Sequence, residues 1–346
     1  MRKLASIQRI WKIEDMENAD RLQKAFVEGW VVVVPKEQFK VMDLAVYFEI
    51  DSFLPVDPRF EFLRTTSYKK TDMMGEGFKL RTLKLRGQIS QGLLLPLSEF
   101  PEIENPEIGQ DVTTLLGVKK WEIEEKATTG GNVVGGLPYD VPHTDESRVQ
   151  NHPELIDEFG DQEYYISTKM DGSSHSISMD GNGFHVCGHN YEYKNDGSSS
   201  FYNFVNERGY QQRIEDYFCK NELSEFTLQG EFCAPGIQRN RLRLVKPEWY
   251  VFTVRINGER IGMDEMLSVC ESLRIPHVPI EERGTGFKNK YPTVEAVLAR
   301  ADGEYPNGGP KEGVVIRTVK PVYSSTIGDY LSMKAVSNKY LLKNGE

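Results

Sequence analysis

Lys169 stands in STKMDGSS (167–174), between an apolar run (YYI, 164–166) and an Asp-Gly turn signal. A primary amine with an ordinary pKa near 10.4 is protonated at neutral pH, and it becomes a nucleophile only where its neighbours displace the proton. The groups that could serve lie far along the chain. QGEF (229–232) sets Glu231 after a glycine near the end of an apolar run, and EGVV (312–315) sets Glu312 at the head of another. SMKAVSNKYL (332–341) carries Lys334 and Lys339. Taken singly, each has a plainer reading: a solvated lysine beside a turn, a strand-end charge, a loop residue, and the solvated face of a last helix or strand. The chemistry depends on a fold that gathers them.

The elements that must do so follow residue 143. Strand-like runs EYYISTKM (163–170), HSISM (175–179), GFHVCGH (183–189), EFTLQGEF (225–232), WYVFTVRI (249–256) and EGVVIRT (312–318) alternate with helical stretches. Those are SSFYNFVNERGYQQRIEDYFC (199–219) and DEMLSVCESL (264–273), the second with Asp264 placed as its N-cap. The pattern predicts an α+β region built on antiparallel sheets. Before residue 125 lie short β-type runs, WVVVVP (30–35), LAVYFEI (44–50), FKLRTLKL (78–85) and GLLLPL (92–97), and only ADRLQKAF (19–26) has helical spacing. Several short strands in so short a stretch predict a small closed or partly closed barrel. Between the halves, the glycine-rich KATTGGNVVGGLPYDVP (126–142) reads as a connector or a long functional loop. The expected organisation is therefore 1–125, a linker over 126–142, and 143–346.

Composition bounds the function. The 346 residues allow two domains, and 39% hydrophobic with 11% aromatic residues predicts a folded chain. No run approaches the roughly 18 apolar residues of a membrane span, and MRKLASIQRIWKIED lacks the apolar centre of a signal peptide. Cys187, Cys219, Cys233 and Cys270 are widely spaced, which fits free thiols in a reducing, intracellular compartment. A net charge of −10 disfavours nucleic acid only if charge is spread evenly, and it is not. FKLRTLKLRG (78–87) groups Lys79, Arg81, Lys84 and Arg86, and QRNRLR (238–243) adds three arginines. Such strips can follow phosphates even on an acidic protein, solvated strand faces being the alternative. No GxxxxGK[ST] phosphate loop is present, and GEGFKL (75–80) and GTGFKN (284–289) do not complete a dinucleotide-binding pattern. HVCGH (185–189) would set His185, Cys187 and His189 on one strand face, but without an evident fourth ligand packed strand residues are expected rather than zinc.

In this order, KMDG (169–172), HNYEYK (189–194), QGEF (229–232), YVFTV (250–254), KEGVVIR (311–317) and SMKAVSNK (332–339) resemble the ordered motifs of the covalent nucleotidyltransferases. That superfamily holds DNA ligases, RNA ligases and mRNA capping enzymes. The chain looks most similar to ATP-dependent RNA ligases with an N-terminal OB domain, through LKLRGQISQGLLLPL (83–97) and HTDESRVQN (143–151) as well. The resemblance implies an OB-type β-barrel followed by an adenylyltransferase domain built on antiparallel sheets.

It also implies roles. Lys169 matches the nucleophile that takes AMP from ATP, Lys334 the phosphate-contacting lysine, and Lys339 a second. Glu312 matches the metal-site carboxylate, with Asp171 and Glu231 expected in the metal shell or, for Glu231, at the ribose. Oxygen ligands of this kind suit Mg²⁺ or Mn²⁺. Phe252 matches the ring that stacks on adenine, and Arg148 an upstream basic residue near the nucleotide. Gly172 is expected to let the backbone turn tightly. Two departures shape the reading: Thr168 stands where many relatives carry glutamate, so adenine contacts are expected from backbone near Ser167 and Thr168. SMKAVSNK spaces its lysines more widely than the common KxK.

The implied activity is sealing of 5′-phosphate/3′-hydroxyl nicks in duplexes with an RNA 3′-hydroxyl end, as in RNA repair, through lysyl-adenylate and 5′-adenylylated intermediates. The expected partner is nicked RNA or an RNA-containing duplex, with no membrane, and a monomer. A DNA ligase, a capping guanylyltransferase, and a nucleic-acid-binding protein with a decayed transferase half remain alternatives.

Overall fold

A computed structural model describes residues 3–17, 19–122 and 131–344, which divide into two compact units. The first takes the chain up to residue 122 and adds 150–153 and 338–344; the second takes 131–149 and 154–337.

The first unit is made of short antiparallel strands. In Trp30–Pro35 the side chains alternate, Trp30, Val32 and Val34 buried and Val31 and Val33 half-buried, which is the period-2 signature of a strand with one covered face. Its partner Leu22–Val27 pairs on the other edge with Lys12–Asp15, so the helical spacing of 19–26 is overridden by hydrogen-bond ladders on both sides. Leu44–Phe48 is the centre of a second sheet between Ala5–Arg9 and Leu93–Pro96. The expected single strand over 78–85 is two: Gly75–Lys79 ends one, and Leu83–Leu85 forms a hairpin with Gln88–Ser90 through Arg86 (φ +49°) and Gly87 (φ +88°). That break also splits the basic strip. Arg81, Lys84 and Arg86 are exposed, whereas Lys79 is half-buried with Nζ 5.2 Å from the Trp121 ring centroid. The core gathers Ala5, Ile7, Val46, Leu54 and Phe78, with Phe48 set edge-on to Phe60 at 5.4 Å.

The second unit holds two large antiparallel sheets and a small hairpin of Tyr323–Ser324 with Asp329–Tyr330. One has seven strands in the order Val133–Gly136, Tyr191–Tyr193, Gly183–Cys187, Ser173–Asp180, Phe226–Cys233, Glu248–Ile256 and Glu259–Arg260. The other has four, Ile280–Gly284, Tyr164–Lys169, Gly313–Thr318 and Ser332–Val336. Of the expected linker, 126–130 lies outside the described residues, while Val133–Gly136 is an edge strand paired with Tyr191–Tyr193 rather than a spacer. The helical stretch 199–219 breaks into Ser200–Glu207 and Tyr210–Lys220 at Gly209, whose φ of +62° suits glycine. Asp264 is not the cap of Met263–Leu273; Gly262 is, and Asp264 lies in the first turn, where its charge favours the helix dipole and accepts from Arg283 Nη1 at 2.6 Å. Phe201, Phe204 and Ile214 from the helices cover Leu228, Trp249 and Val254 of the larger sheet. Phe159, Phe287 and Val297 cover Ile166, Ile316 and Met333 of the smaller. Among the described residues no helix is long and apolar enough to cross a membrane.

Candidate active site

Strand register assembles the site. Lys169 ends its strand opposite Gly313, which brings it beside Glu312, the residue before Gly313. On the next strand Lys334 faces Val315. Arg148 runs parallel to Lys334, with Val149 N donating to Lys334 O (3.0 Å) and Lys334 N donating to Ser147 O (2.8 Å). Glu231 comes from the larger sheet and accepts from Gly172 N at 3.1 Å. Gly172 is needed there for closeness, not for a left-handed turn: a Cβ would stand 2.5 Å from Phe232 O and 2.8 Å from Cys233 Sγ.

Lys169 Nζ lies 2.7 Å from Glu312 Oε1. Burial opposes the charge on Lys169, but the carboxylates of Glu312, Glu231 and Asp171 outweigh it and hold the amine above its ordinary pKa. Among themselves these residues thus keep the proton on Lys169 rather than displace it. Burial, with Glu312 and Asp171 adding to it against the pull of Lys169, pushes Glu231 up to about 8. Asp171 is engaged by Arg241, both side chains nearly buried.

A pocket opens over these groups, lined by Ser167, Thr168, Lys169, Glu231, Phe252 and Lys334 among the expected residues. The Thr168 N–H is already donated to Pro279 O (2.9 Å), and its hydroxyl to Glu281 Oε1 (2.7 Å), so that backbone donor serves the protein itself. Lys339 does not line the pocket; it belongs to the helix Asn338–Asn344 of the first unit. His189 lines the pocket, but His185 is taken up by Glu192 (2.8 Å) and Asp180 (3.2 Å) and Cys187 is buried, so HVCGH gathers no zinc ligands.

Two profiles match the chain: an OB-fold domain over residues 4–97 and RNA ligase over residues 162–336. The chain belongs to the RNA ligase family. Its structure is similar to that of Naegleria gruberi RNA ligase with pyrophosphate, at 32% identity and TM-score 0.89, covering 100% of this chain and 99% of that one. A glutamate-to-alanine mutant of the Naegleria ligase with ATP and Mn matches at 31% identity and TM-score 0.90, covering 100% of both chains. A lysine-to-methionine mutant with AMP and Mn matches at 31% identity and TM-score 0.89, covering 99% of this chain and 100% of that one. No curated protein sequence matches.

Two residues of this RNA ligase pocket stand within KEGVVIR and HTDESRVQN yet have no role assigned to them there. Arg317 and Glu146 form a buried ion pair at 2.5 Å, and Ser332 Oγ also donates to Glu146. Burial works against the Glu146 charge, but Arg317, with Arg260 behind it, keeps the carboxyl below its ordinary value. Arg317 further donates to Phe252 O, and its guanidinium lies 5.6 Å from the Phe252 ring centroid, so it holds the pocket's aromatic wall. The available signal was an arginine ending the apolar run GVVIR (313–317), a charge that needs a buried partner.

The carboxylates also bear on the family's metal. Among the described residues no three His, Cys, Asp or Glu side chains converge as a ready cage. Burial, more than its acidic neighbours, pushes Glu231 up to about 8, and a divalent cation beside Glu231 and Glu312 would favour the ionised form. One or two carboxylates completed by water and phosphate oxygens is the arrangement Mg²⁺ commonly takes, so the residues fit such an ion.

Proposed function

We propose that the protein seals 5′-phosphate/3′-hydroxyl nicks whose 3′-hydroxyl strand ends in RNA, using ATP and Mg²⁺ or Mn²⁺, with Lys169 as the residue that carries AMP. The observation that carries this reading is Lys169, in contact with Glu312, lining a pocket together with Phe252 and Lys334. Lys169 Nζ, once it has given up a proton, forms a bond to the α-phosphorus of ATP as the bond to pyrophosphate breaks. An oxygen of the 5′-phosphate then attacks that phosphorus, the P–N bond breaks, and Lys169 regains a proton. Finally the 3′-hydroxyl, losing its proton, attacks the 5′-phosphate, and AMP leaves as the phosphodiester forms.

Each residue has a task in these steps. Lys334 faces the pocket as a fixed cation for phosphate oxygens, where charge builds up. Glu312 lies against the Lys169 ammonium and holds it in place. Glu312 and Glu231, with Asp171 nearby, would hold a divalent cation, which would supply positive charge at the α-phosphate. Phe252 offers a face for adenine, with Ser167 and Thr168 at the pocket wall and Arg148 beside Lys334. Lys339 is proposed as a second lysine for the phosphates. The first unit, matched by the OB-fold profile, would grip the duplex through Arg81, Lys84 and Arg86. Four free thiols support an intracellular location, and a monomer is the simplest assembly.

The test is incubation with α-labelled ATP and Mg²⁺ or Mn²⁺ followed by denaturing electrophoresis, for wild type and Lys169→Ala. Label should stay with wild type and vanish from the variant; equal labelling overturns the nucleophile. Matched nicks that differ only in the terminal sugar of the 3′-hydroxyl strand then decide the substrate, since a 2′-hydroxyl there distinguishes RNA from DNA. Equal sealing of DNA-ended and RNA-ended nicks would favour the DNA ligase reading.

A further inference from the structure

The segment 235–246 follows the Glu231 strand and contains QRNRLR (238–243), the second basic strip of the chain. Its backbone is unusual. Gly236, Gln238, Asn240 and Arg243 all have positive φ, at +91°, +49°, +45° and +52°. A non-glycine residue in that region costs on the order of 1 kcal/mol or more, and it persists only where the surroundings dictate it. Here they do. Ile237 and Leu242 are buried pins, and Leu242 packs in one cluster with Met170, the residue after Lys169. The Asn240 side chain bridges the turn, donating to Leu244 O and accepting from Leu244 N, both at 2.9 Å.

The loop is also fastened to the nucleophile's own turn. Arg241 forms its buried ion pair with Asp171, and Gln238 Nε2 donates to Gly172 O at 3.3 Å. With one arginine thus turned inward, the other cations face out: Arg239, Arg243 and Lys246 are exposed, around a tip where Val245 is 90% exposed. The segment 235–246 contains no acidic residue, on a chain whose net charge is −10. Rigid backbone, inward pins and outward cations make a surface already shaped for a chain of phosphates, so little ordering is left for binding to supply.

We infer that the loop 235–246 is a contact surface for the phosphodiester backbone of the polynucleotide, with Arg239, Arg243 and Lys246 as its phosphate ligands and Arg241 as the anchor that fixes it beside Lys169. This rests on the ligase reading above and extends it to a surface of the catalytic unit. Contacts of this kind position a strand without reading its sequence.

The test is binding of a nicked, 5′-phosphorylated RNA duplex by fluorescence anisotropy, from about 50 to 200 mM salt, for full-length wild type and for R239A/R243A/K246A, with sealing of the same duplex followed in parallel. The thermal midpoint and AMP labelling of the variant report that it is folded. The triple variant should bind at least about tenfold more weakly at low salt. Its plot of log affinity against log salt should flatten by about 2 to 3, near 0.9 for each phosphate that the protein no longer neutralises. The weakening should be alike for duplexes of unrelated sequence. A folded, labelled variant that binds and seals as wild type does overturns the loop's role and leaves the ligase reading standing. A wild type that takes label from ATP yet neither binds nor seals any nicked RNA overturns the ligase reading and the loop's role with it. Should the triple variant fail to fold, the exposed charge reversal Arg243→Glu alone carries the same expectation, a weaker affinity and a slope flatter by about 1.

Discussion

Lys169 Nζ and Glu312 Oε1 are 2.7 Å apart because two antiparallel strands end in register, Lys169 opposite Gly313. The contact has two faces. It fixes the amine where a nucleotide would meet it, and it holds the amine protonated, since Glu312 is the first of three carboxylates that outweigh the burial of the charge. If Lys169 acts as proposed, this hold must be released, and neutralising the carboxylates by a bound cation would be the direct way to do so.

Glu312→Gln separates these two faces. In metal-free protein the Lys169 pKa should fall, so that modification of Lys169 by an amine reagent, read by peptide mass spectrometry, begins at a lower pH than in wild type. Adenylylation should nevertheless slow by about 10²–10³, the usual effect of removing one stabilising group at a developing charge. A variant with wild-type labelling and an unchanged reactivity profile would remove Glu312 from the site.

Glu231 predicts a trade of stability for function. Its pKa is raised in the folded state, to about 8 from 4.5. The folded chain thus binds a proton that the unfolded chain has released, and stability falls as pH rises from about 4.5 to about 8. Glu231→Gln removes that slope. Thermal or urea unfolding should show variant and wild type close together near pH 4.5. The variant should be more stable by on the order of 1–3 kcal/mol near pH 8, while its labelling by ATP is impaired. A gap that does not widen with pH would show that the carboxyl is ionised in the folded state.

Removing Arg317 should be severe. Arg317→Met leaves Glu146 buried without its partner and frees Phe252 O, so unfolding in urea should show a loss of about 3–5 kcal/mol. The double variant Glu146→Gln/Arg317→Met should recover much of this, because the isolated charge is gone. No recovery in the double variant would point to poorer packing instead. Where the single variant folds, its KM for ATP should rise as the Phe252 wall loosens.

The exposed hairpin cations give a prediction for the first unit. Arg81→Glu with Lys84→Glu should weaken sealing of nicked RNA and flatten its salt dependence by about 2, because two phosphates are no longer neutralised. Both residues are exposed, so the unfolding midpoint should move little. Sealing that is unaffected at every salt concentration would mean that this face does not meet the duplex.

The strands that carry the site were legible because their apolar residues betray them. Tyr164–Lys169 and Phe226–Cys233 fall almost where EYYISTKM and EFTLQGEF placed them. What pairs with what was not legible from pattern alone. Arg241 and Asp171 are 70 residues apart, and nothing in QRNRLR says that one of its three arginines turns inward. Local spacing also misled where neighbours in space decided the outcome, as at Leu22–Val27, where two flanking strands impose a ladder on a helical pattern. The crowding of Gly172 by Phe232 and Cys233 adds a demand for glycine that is visible only once the second sheet is in place.

The first unit draws on three stretches of sequence, and its last piece is the helix Asn338–Asn344, with Tyr340 and Leu341 buried. A protease cut within the glycine-rich stretch would thus not yield two self-sufficient halves. The C-terminal fragment would keep 150–153 and the closing helix, both of which complete the N-terminal fragment's fold. Each piece made alone would expose apolar surface, whereas the two made together should reassemble, so the natural split point of this enzyme is one for fragment complementation rather than for dissection into independent domains.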